Sequence, residues 1–281
     1  MDCEGLDTLI ELAIAEDIGS GDITTQAIVV DGMCYADIIA KEELVVCGND
    51  VARKVFARID ESLVYEVLAK DGCLLSSGEK IASVSGKFAS VLTAERTVLN
   101  FLQRLSGIAT ATRGVVEKVK GTKVQILDTR KTIPAYRTLE KYAVKTGGGK
   151  NHRFGLFDAF LIKNNHIDLL AGDVGLAIRK CRQFAPDKRL EVEVRNLSEL
   201  EQAIAEAPDA ILLDNMSPTE VRRMLEIIDS SVIAGVVEVE VSGGINDGNI
   251  SEYASLSIDF ISLGAITHSA RAADISLRCR L

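Results

Sequence analysis

Residues 210–244 read AILLDNMSPTEVRRMLEIIDSSVIAGVVEVEVSGG, and this stretch decides the fold. Two continuous apolar runs, AILLDN and EVEVSGG, stand on either side of PTEVRRMLEIID, whose apolar residues have helical spacing. Continuous runs rich in Val, Ile and Leu are typical of strands that are buried on both faces. A helix between two such strands is typical of a β-α-β unit. The stretch therefore predicts α/β architecture with a parallel sheet.

The same alternation continues through the C-terminal part of the chain. Further apolar runs are VQILDT (124–129), AFLIKNN (159–165), LEVEVR (190–195) and FISLGAIT (260–267). Most runs end in a polar, reactive or flexible residue, namely Asp128 with Arg130 and Lys131, Lys163, Glu193, Asp214, Ser242 and Gly264. In a (β/α) barrel the carboxyl ends of the strands build one active-site face, whereas a doubly wound sheet spreads them along an edge. We therefore expect an α/β barrel, with a doubly wound sheet as the second interpretation.

The N-terminal part has a different texture. A helix is predicted over Leu6–Ile18, because its apolar residues recur on one helical face before glycines follow. From about residue 23 to residue 92, short runs alternate apolar and polar residues between glycines and acids, which predicts a small antiparallel sheet or sandwich. A helix over 94–110, with Thr93 as its N-cap, is predicted to bridge into the barrel. Its apolar stripe consists of Val98, Leu99, Leu102 and Leu105.

Composition narrows the class of protein. The 281 residues are 47% hydrophobic and carry a formal net charge of -9, which makes general binding to nucleic acid or to anionic membranes an unfavourable interpretation. The six cysteines are scattered without a C-x-x-C pair, and acids stand near the N-terminus where a secretory signal would be basic. We expect a cytoplasmic protein with reduced, mostly packed thiols.

The segment DTRKTIPAYRTLEKYAVKTGGGKNHRFG, residues 128–155, reverses the overall charge. From Arg130 to Arg153 there are seven basic residues against the single acid Glu140. A solvated basic helix face accounts for three of them, Arg137, Lys141 and Lys145. It accounts less well for the basic residues at a strand end and in a loop after glycines, which are Arg130, Lys131, His152 and Arg153. These residues indicate an anion site.

Other polar residues are expected at the same face of the barrel. The three histidines, His152, His166 and His268, follow or end elements there, but their spacing does not suit zinc. Lys163 could form a Schiff base or pair with an anionic substrate. The carboxylates Glu193 and Asp214 suggest an oxygen-ligated Mg²⁺, although ion pairing with the basic cluster explains them equally.

Glycines end the late strands. Gly243, Gly244 and Gly264 stand where such barrels often bind phosphate through backbone N–H groups. The triplet Gly147–Gly149 lacks the lysine-serine ending of a P-loop. The residues by themselves predict a cationic pocket, a Mg²⁺ and a phosphate loop, and hence a small substrate with several negative charges.

At these residues the sequence strongly resembles the quinolinate phosphoribosyltransferase family, also called nicotinate-nucleotide pyrophosphorylase (carboxylating). The resemblance covers almost the whole chain, in the blocks EDIGSGDITT (16–25), TAERTVLNFLQRLSGIAT (93–110), DTRKTIP (128–134), EKYAVKTGGGKNHRFGLFD (140–158), LIKNNHI (161–167), ILLDNMSP (211–218), SGGI (242–245) and FISLGAITHS (260–269). It implies an N-terminal α+β open-faced sandwich domain with the bridging helix over residues 1–110, then a C-terminal α/β barrel over 111–281. It also implies that quinolinate and phosphoribosyl pyrophosphate give nicotinate mononucleotide, diphosphate and CO₂, with Mg²⁺ as cofactor, in a homodimer or a hexamer.

The resemblance also implies roles for individual residues. The residues implied to hold the two carboxylates of quinolinate are Arg130, His152, Arg153 and Lys163, with Thr129 beside them in the substrate site. Lys131 is implied to serve the phosphates. Glu193 and Asp214 are implied to orient the ribose hydroxyls and the magnesium-diphosphate, in part through water. The residues implied to bind the 5′-phosphate are Ser242, Gly243, Gly244, Gly264 and Ala265. Arg96 is implied to reach the active site of the partner subunit, and the residues closest to the chemistry are Lys131, Lys163, Glu193 and Asp214.

The chain departs from the family pattern at a few positions. Ile133 and Ala135 stand where a second Thr and a Gly are expected, and Asn164 stands where an Asp is expected. Three alternatives remain open: a molybdenum-transport-associated homologue of the same fold, a Schiff-base aldolase barrel that uses Lys163, and a binding protein without catalysis. The first is disfavoured because that branch lacks the strand-end lysine followed by Asn-His.

Overall fold

In this computed structural model residues 5–28 and 32–280 are described, and they divide into two compact units. The first unit contains the described residues up to Arg113, Thr132–Gly148, and the described residues from Ile266 onward. The second unit contains Gly114–Lys131 and Gly149–Ala265. Because both units consist of separate pieces of the chain, the domain boundary expected after residue 110 stays a prediction.

Helices and strands cover most of the described residues. The helices are α1 (Leu6–Ile18), α2 (Ile23–Ile28), α3 (Asn49–Ile59), α4 (Phe88–Lys118), α5 (Arg137–Thr146), α6 (Asn164–Asp168), α7 (Val174–Phe184), α8 (Leu197–Glu206), α9 (Pro218–Asp229), α10 (Ile250–Ala254) and α11 (Ala265–His268). The strands are β1 (Met33–Ala40), β2 (Leu44–Val45), β3 (Val64–Val67), β4 (Leu74–Leu75), β5 (Lys80–Lys87), β6 (Gln125–Leu127), β7 (Phe160–Ile162), β8 (Leu190–Val194), β9 (Ala210–Asp214), β10 (Glu238–Ser242), β11 (Phe260–Ser262) and β12 (Ile275–Arg280). The helix predicted over Leu6–Ile18 is confirmed as α1.

The first unit is built on an antiparallel sheet with strand order β12-β1-β5-β3. The strand texture expected between residues 23 and 92 is confirmed for β1, β3 and β5. It is wrong for the short helix α2 and for α3, a helix that buries Val51, Ala52, Val55 and Phe56 along one face. The last strand, β12, pairs with β1 although the two are far apart in the sequence. Residues near the C-terminus therefore complete the sheet of the first unit.

The long helix α4 starts earlier than the sequence predicts. It begins at Phe88, so Thr93 lies inside the helix and the prediction of Thr93 as its N-cap is wrong. Val91 and Ala94 are buried at helical spacing ahead of the predicted apolar stripe, which explains why FASVL forms the first turns instead of a strand. The stripe itself is buried as predicted, whereas Arg96 is exposed.

The second unit contains a parallel six-stranded sheet with the order β6-β11-β10-β9-β8-β7. Each strand from β7 to β10 pairs with the next strand along the chain, and the first strand of this sheet, β6, pairs with its last, β11. A cyclic order of this kind belongs to a barrel, because a doubly wound sheet places later strands on both sides of the first. The six strand runs and the barrel architecture predicted from the sequence are confirmed.

The other edge of β6 is covered by a short extended segment. The backbone N–H of Lys150 donates to Ile126 O at 2.8 Å, and the N–H of Asp128 donates to Lys150 O at 3.1 Å. This bridge aligns the residues after the glycine triplet with the strand end. It brings His152 and Arg153 to the barrel without a full strand.

The helices and the cysteines bear on the expected class of protein. None of the helices formed by residues 5–28 and 32–280 is both long and apolar enough to cross a membrane. The thiols of Cys34, Cys47, Cys73, Cys181 and Cys279 are free in the structure. The sixth cysteine, Cys3, lies outside the described residues.

Ala135 adopts a left-handed backbone conformation, with φ at 61°. A side chain in this region costs about 1 kcal/mol relative to glycine, the residue that the family pattern places here. We expect Ala135→Gly to raise the free energy of unfolding by about 0.5–1 kcal/mol in urea titrations. The matched control is Ala15→Gly on the exposed side of α1, which should lower it by about 1 kcal/mol. A loss of stability at Ala135 would contradict the strain argument.

Candidate active site

Two pairs of polar side chains join neighbouring strand ends in the barrel unit. Lys163, directly after β7, places its Nζ 2.8 Å from Oε2 of Glu193 on β8. The side chain of Glu193 is buried, whereas that of Lys163 is 47% exposed. The lysine is therefore held by a buried carboxylate and remains accessible to solvent. The second pair links β9 and β10, because Ser242 Oγ donates to Asp214 Oδ1 at 2.5 Å. The structure thus brings together four of the strand-end residues predicted from the sequence.

Asp214 is held on both of its oxygens. Besides the bond from Ser242, Oδ2 accepts a hydrogen bond from Asn215 Nδ2 at 2.6 Å. Asn215 itself has a left-handed backbone, with φ at 54°. A carboxylate fixed in this way keeps its orientation before any substrate arrives, which lowers the entropic cost of binding.

The glycine pair after β10 forms a turn that needs glycine. Gly243 and Gly244 have φ values of 84° and 66°, which L side chains rarely adopt. A Cβ on Gly243 would lie 2.2 Å from Asn215 Oδ1, so the backbone and the side chain of Asn215 are in close contact there. Successive left-handed residues can turn backbone N–H groups toward a bound anion. Gly264 and Ala265, the other residues expected at the phosphate, follow β11 in the same unit.

We expect Gly243→Ala to raise the KM for phosphoribosyl pyrophosphate about tenfold or more, because it strains the turn and displaces Asn215 from Asp214. Steady-state kinetics with varied phosphoribosyl pyrophosphate measure this. Gly235→Ala is the matched control: Gly235 also has a positive φ, at 70°, but a Cβ there meets nothing within 4 Å. It should reduce stability and leave the KM unchanged. Equal KM changes in both variants would argue against a phosphate role for the turn.

His152 and Arg153 are fixed by several hydrogen bonds. The fully buried Asp128 accepts the N–H of His152 at 2.9 Å, and Nδ1 of His152 accepts the N–H of Arg153 at 2.7 Å. One guanidinium nitrogen of Arg153 donates to Ala159 O at 2.9 Å. The Nε atom of Arg153 is buried and has no hydrogen-bond partner among the described residues. Asp128 is thus a positioning residue at the end of β6.

The environment of Arg153 favours an anion. Burial lowers the pKa of this guanidinium, and the positive charge of Arg130 lowers it further. Both effects penalise the charged form, and an anionic ligand between the two arginines would relieve the repulsion. At the mouth, Thr129 is half-buried, its Oγ1 accepts the N–H of Lys131 at 3.0 Å, and Lys131 is exposed. The anion site predicted from the basic segment therefore has a local physical basis in Arg130 and Arg153.

The remaining basic residues and histidines behave differently from expectation. Lys141 is buried, so the interpretation of a solvated helix face is wrong at this position. His166 is exposed, and its Nδ1 accepts the N–H of Lys163 at 2.9 Å, which is a helix-capping contact at α6. His268 belongs to the first compact unit. Among the three histidines, His152 alone lines the interior of the barrel unit. Arg96 also lies in the first unit, exposed on α4.

A buried acidic pair inside the barrel was not predicted from the sequence. Nε2 of His152 lies 3.0 Å from Glu191 Oε2 and 3.5 Å from Glu240 Oε2. Glu191 precedes Glu193 by two residues and Glu240 precedes Ser242 by two, so each projects on the same side of its strand, one layer deeper. The alternation rule could have identified both carboxylates. Burial, followed by the charge of Glu191, raises the pKa of Glu240 to about 8.

The hydrogen-bond pattern of His152 argues against a metal at this cluster. Its three ligand atoms lie within 4.8 Å of one another, a spacing that a cation could bridge. However, Nδ1 of His152 accepts a backbone N–H, so Nε2 of the neutral ring carries the hydrogen and cannot ligate a metal. The cluster fits a hydrogen-bonded proton store, with Nε2–H donating to Glu191.

The raised pKa of Glu240 should make stability depend on pH. The pKa of this carboxyl is higher in the folded chain than its ordinary 4.5, so its favourable contribution is full below 4.5 and is lost as pH rises toward about 8. We expect the free energy of unfolding to fall between pH 5 and pH 8 with a slope of up to ~1.4 kcal/mol per pH unit from this group. Glu240→Gln should flatten that slope in urea titrations. A slope that stays as steep in the variant as in the wild-type protein would refute this.

Comparisons with known proteins agree with this geometry. Residues 22–106 match the family model of the quinolinate phosphoribosyl transferase N-terminal domain, and residues 108–278 match that of the C-terminal domain. A nicotinate-nucleotide pyrophosphorylase [carboxylating] of Mycobacterium leprae is 43% identical over 98% of this chain and 98% of its own length. A probable enzyme of the same name from Bacillus subtilis is 41% identical over 97% of this chain and 92% of its own.

Solved structures give the same result. The nicotinate-nucleotide pyrophosphorylase from Francisella tularensis superposes with a TM-score of 0.91 at 42% identity, covering 98% of this chain and 96% of its own. NadC from Streptococcus pyogenes gives a TM-score of 0.93 at 39% identity, covering 99% and 98% respectively. With both family models matched and relatives above 40% identity over nearly the full length, the chain belongs to the quinolinate phosphoribosyltransferase family.

Proposed function

We propose that this chain transfers the phosphoribosyl group of phosphoribosyl pyrophosphate to quinolinate with loss of carbon dioxide, giving nicotinate mononucleotide and diphosphate. The observation that carries the proposal is the partly buried Arg153, whose charge is penalised by burial and by Arg130. Quinolinate is a small dianion whose two carboxylates can neutralise such a pair. The exposed end of Lys163 adds a third cation at the same barrel unit.

The transfer step breaks the bond between ribose C1′ and diphosphate and forms a bond from C1′ to the ring nitrogen. Positive charge builds on the ribose during this exchange, and Glu193 and Asp214 are the carboxylates proposed to stabilise it. Ser242 holds Asp214 in place, and the turn of Gly243 and Gly244 is proposed to bind the 5′-phosphate. Loss of carbon dioxide then leaves an electron pair on ring C2, next to a cationic nitrogen.

Magnesium is part of the proposal. Glu193 and Asp214 supply oxygen atoms, which are the ligands that Mg²⁺ prefers. Both oxygens of Asp214 accept hydrogen bonds and Glu193 is paired with Lys163, so these residues fit a cation that they contact through water. When bound, Mg²⁺ would neutralise charge on the leaving diphosphate.

Assembly and location complete the proposal. We propose a homodimer in which Arg96 of one subunit reaches the barrel of the other, because Arg96 is exposed on α4 and extends the set of cations available to a dianion. A hexamer built from such dimers is compatible with this. A cytoplasmic location is proposed from the free thiols of the described cysteines.

The direct test is incubation of the protein with quinolinate, phosphoribosyl pyrophosphate and Mg²⁺. We expect equal amounts of carbon dioxide and nicotinate mononucleotide, and neither product without Mg²⁺. Borohydride with a carbonyl substrate tests the Schiff-base alternative. Because Nζ of Lys163 is engaged by the buried Glu193 at 2.8 Å, no adduct is expected. Trapping of an adduct at Lys163, without nicotinate mononucleotide formation, would overturn the proposal.

A further inference from the structure

The proposed reaction needs a proton donor, and the phosphoribosyl transfer step does not identify it. Quinolinate carries a carboxylate on ring C2, whereas nicotinate mononucleotide carries a hydrogen there. After carbon dioxide leaves, the electron pair on C2 must take up one proton. Nζ of Lys163 is already bound to Glu193, the carboxylate proposed to stabilise the ribose, and both oxygens of Asp214 accept hydrogen bonds.

The acidic pair inside the barrel is a group that the phosphoribosyl transfer step leaves unused. The side chains of Glu191 and Glu240 are 5% and 4% exposed, and both contact His152. Burial disfavours a negative charge on Glu240, and the neighbouring carboxylate of Glu191 disfavours it further. Oε1 of Glu191 has no hydrogen-bond partner among the described residues, which leaves the pair incompletely satisfied.

A cavity inside the barrel unit adjoins both this pair and two of the residues proposed to bind quinolinate, His152 and Arg153. It has a volume of about 360 Å³, and its lining includes His152, Arg153, Glu191, Glu240, Phe160 and Phe260. A carboxylate held by the Arg153 side chain would therefore adjoin the same space as the acidic pair. The two aromatic rings give the cavity an apolar portion that can receive carbon dioxide.

We propose that Glu240 is the acid that returns a proton to ring C2 after decarboxylation, while Glu191 and His152 keep it in place. In this step the bond between C2 and the carboxyl carbon breaks and its electron pair stays on C2. A new C2–H bond forms with the proton of Glu240. The resulting carboxylate regains a proton from solvent. This inference rests on the proposed function and adds the source of the proton.

The groups around Glu240 support this role. From β8, Glu191 disfavours a second negative charge. From the edge segment, Nε2 of His152 lies 3.5 Å from Glu240 Oε2. From β11, Ser262 contributes a side-chain hydrogen bond. On the same strand, Glu238 is paired with Arg189 and so is already neutralised. The pKa of Glu240, raised to about 8, keeps it protonated at neutral pH.

The test reads the hydrogen isotope at C2 of the product. The protein turns over quinolinate in an equal mixture of light and heavy water, and NMR gives the ratio of hydrogen to deuterium at C2. A carboxylic acid and a water molecule discriminate differently between the isotopes, so Glu240→Gln should change this ratio. Glu238→Gln is the matched control: Glu238, at the start of β10, lines the same cavity but is paired with Arg189, so the variant should keep the wild-type ratio. Because the ratio is fixed at the protonation step, it does not depend on which step limits turnover.

A second measurement uses the wild-type protein alone. Its kcat should decline as pH rises past about 8, when Glu240 loses its proton, with the KM for quinolinate little changed. In Glu240→Gln we expect kcat to fall up to about 100-fold and this decline to disappear. An isotope ratio that is equal in all three proteins, a ratio that also shifts in Glu238→Gln, or a flat wild-type profile would overturn the assignment. Absence of any nicotinate mononucleotide from the wild-type protein would instead overturn the proposed function.

Discussion

Nicotinate should be a very poor substrate for this protein, with a kcat/KM at least about a thousandfold below that of quinolinate. Nicotinate carries one carboxylate, whereas the site offers Arg130, Arg153 and Lys163. The pKa of Arg153 is already lowered by burial and by Arg130, so a ligand that leaves one of these charges unpaired loses several kcal/mol of binding energy. We therefore expect the site to select for the second carboxylate before decarboxylation begins.

Competition kinetics with both pyridine acids measure this selectivity. Arg153→Met should reduce it by lowering turnover of quinolinate far more than turnover of nicotinate. Arg222→Met, an exposed arginine on α9, is the matched control and should behave like the wild-type protein. Comparable turnover of the two acids by the wild-type protein would show that the cationic residues do not pair with two carboxylates.

The barrel could be predicted because its strands are buried on both faces. Runs such as LEVEVR and AILLDN are therefore continuous and visible without alignment. The start of α4 and the whole of α3 were missed, because short apolar runs fit strand and helix equally when their neighbours alternate. The pairing of β12 with β1 could not be predicted, since strand partners are chosen by tertiary packing and not by local sequence.

The residues of the candidate site, too, could be predicted from the sequence only in part. Residues directly at strand ends, such as Lys163 and Glu193, could be named because the polar residue after an apolar run is conspicuous. Asp128 was noted as a strand end, but its role as acceptor for the His152 backbone depends on the bridge to Lys150, which has no sequence signal. Glu191 and Glu240 lie inside strands and not at their ends, so a search of strand ends did not find them.

Arg96→Ala and Lys163→Ala should each abolish nearly all activity. A mixture of the two variant proteins should recover part of the wild-type activity. Arg96 is exposed on α4 in the first compact unit, so its loss should change stability by only about 0.5 kcal/mol or less. Lys163 is 47% exposed and packs little, so Lys163→Ala should lose quinolinate affinity far more than it alters the fold. If each subunit's Arg96 serves its neighbour, a heterodimer of the two variants has one site that is wholly wild type.

The size of the recovery follows from counting. With random reassortment of equal amounts, half of the dimers are heterodimers and one of their two sites is intact, so roughly a quarter of the wild-type activity per site should return. The matched control mixes Lys163→Ala with Arg130→Ala. Both of these residues belong to the same barrel unit, so no site in that heterodimer is intact and no activity should return. Native mass measurement establishes that subunits have exchanged. If exchange is complete and the Arg96 mixture stays as inactive as its components, Arg96 acts within its own chain and the shared site is wrong.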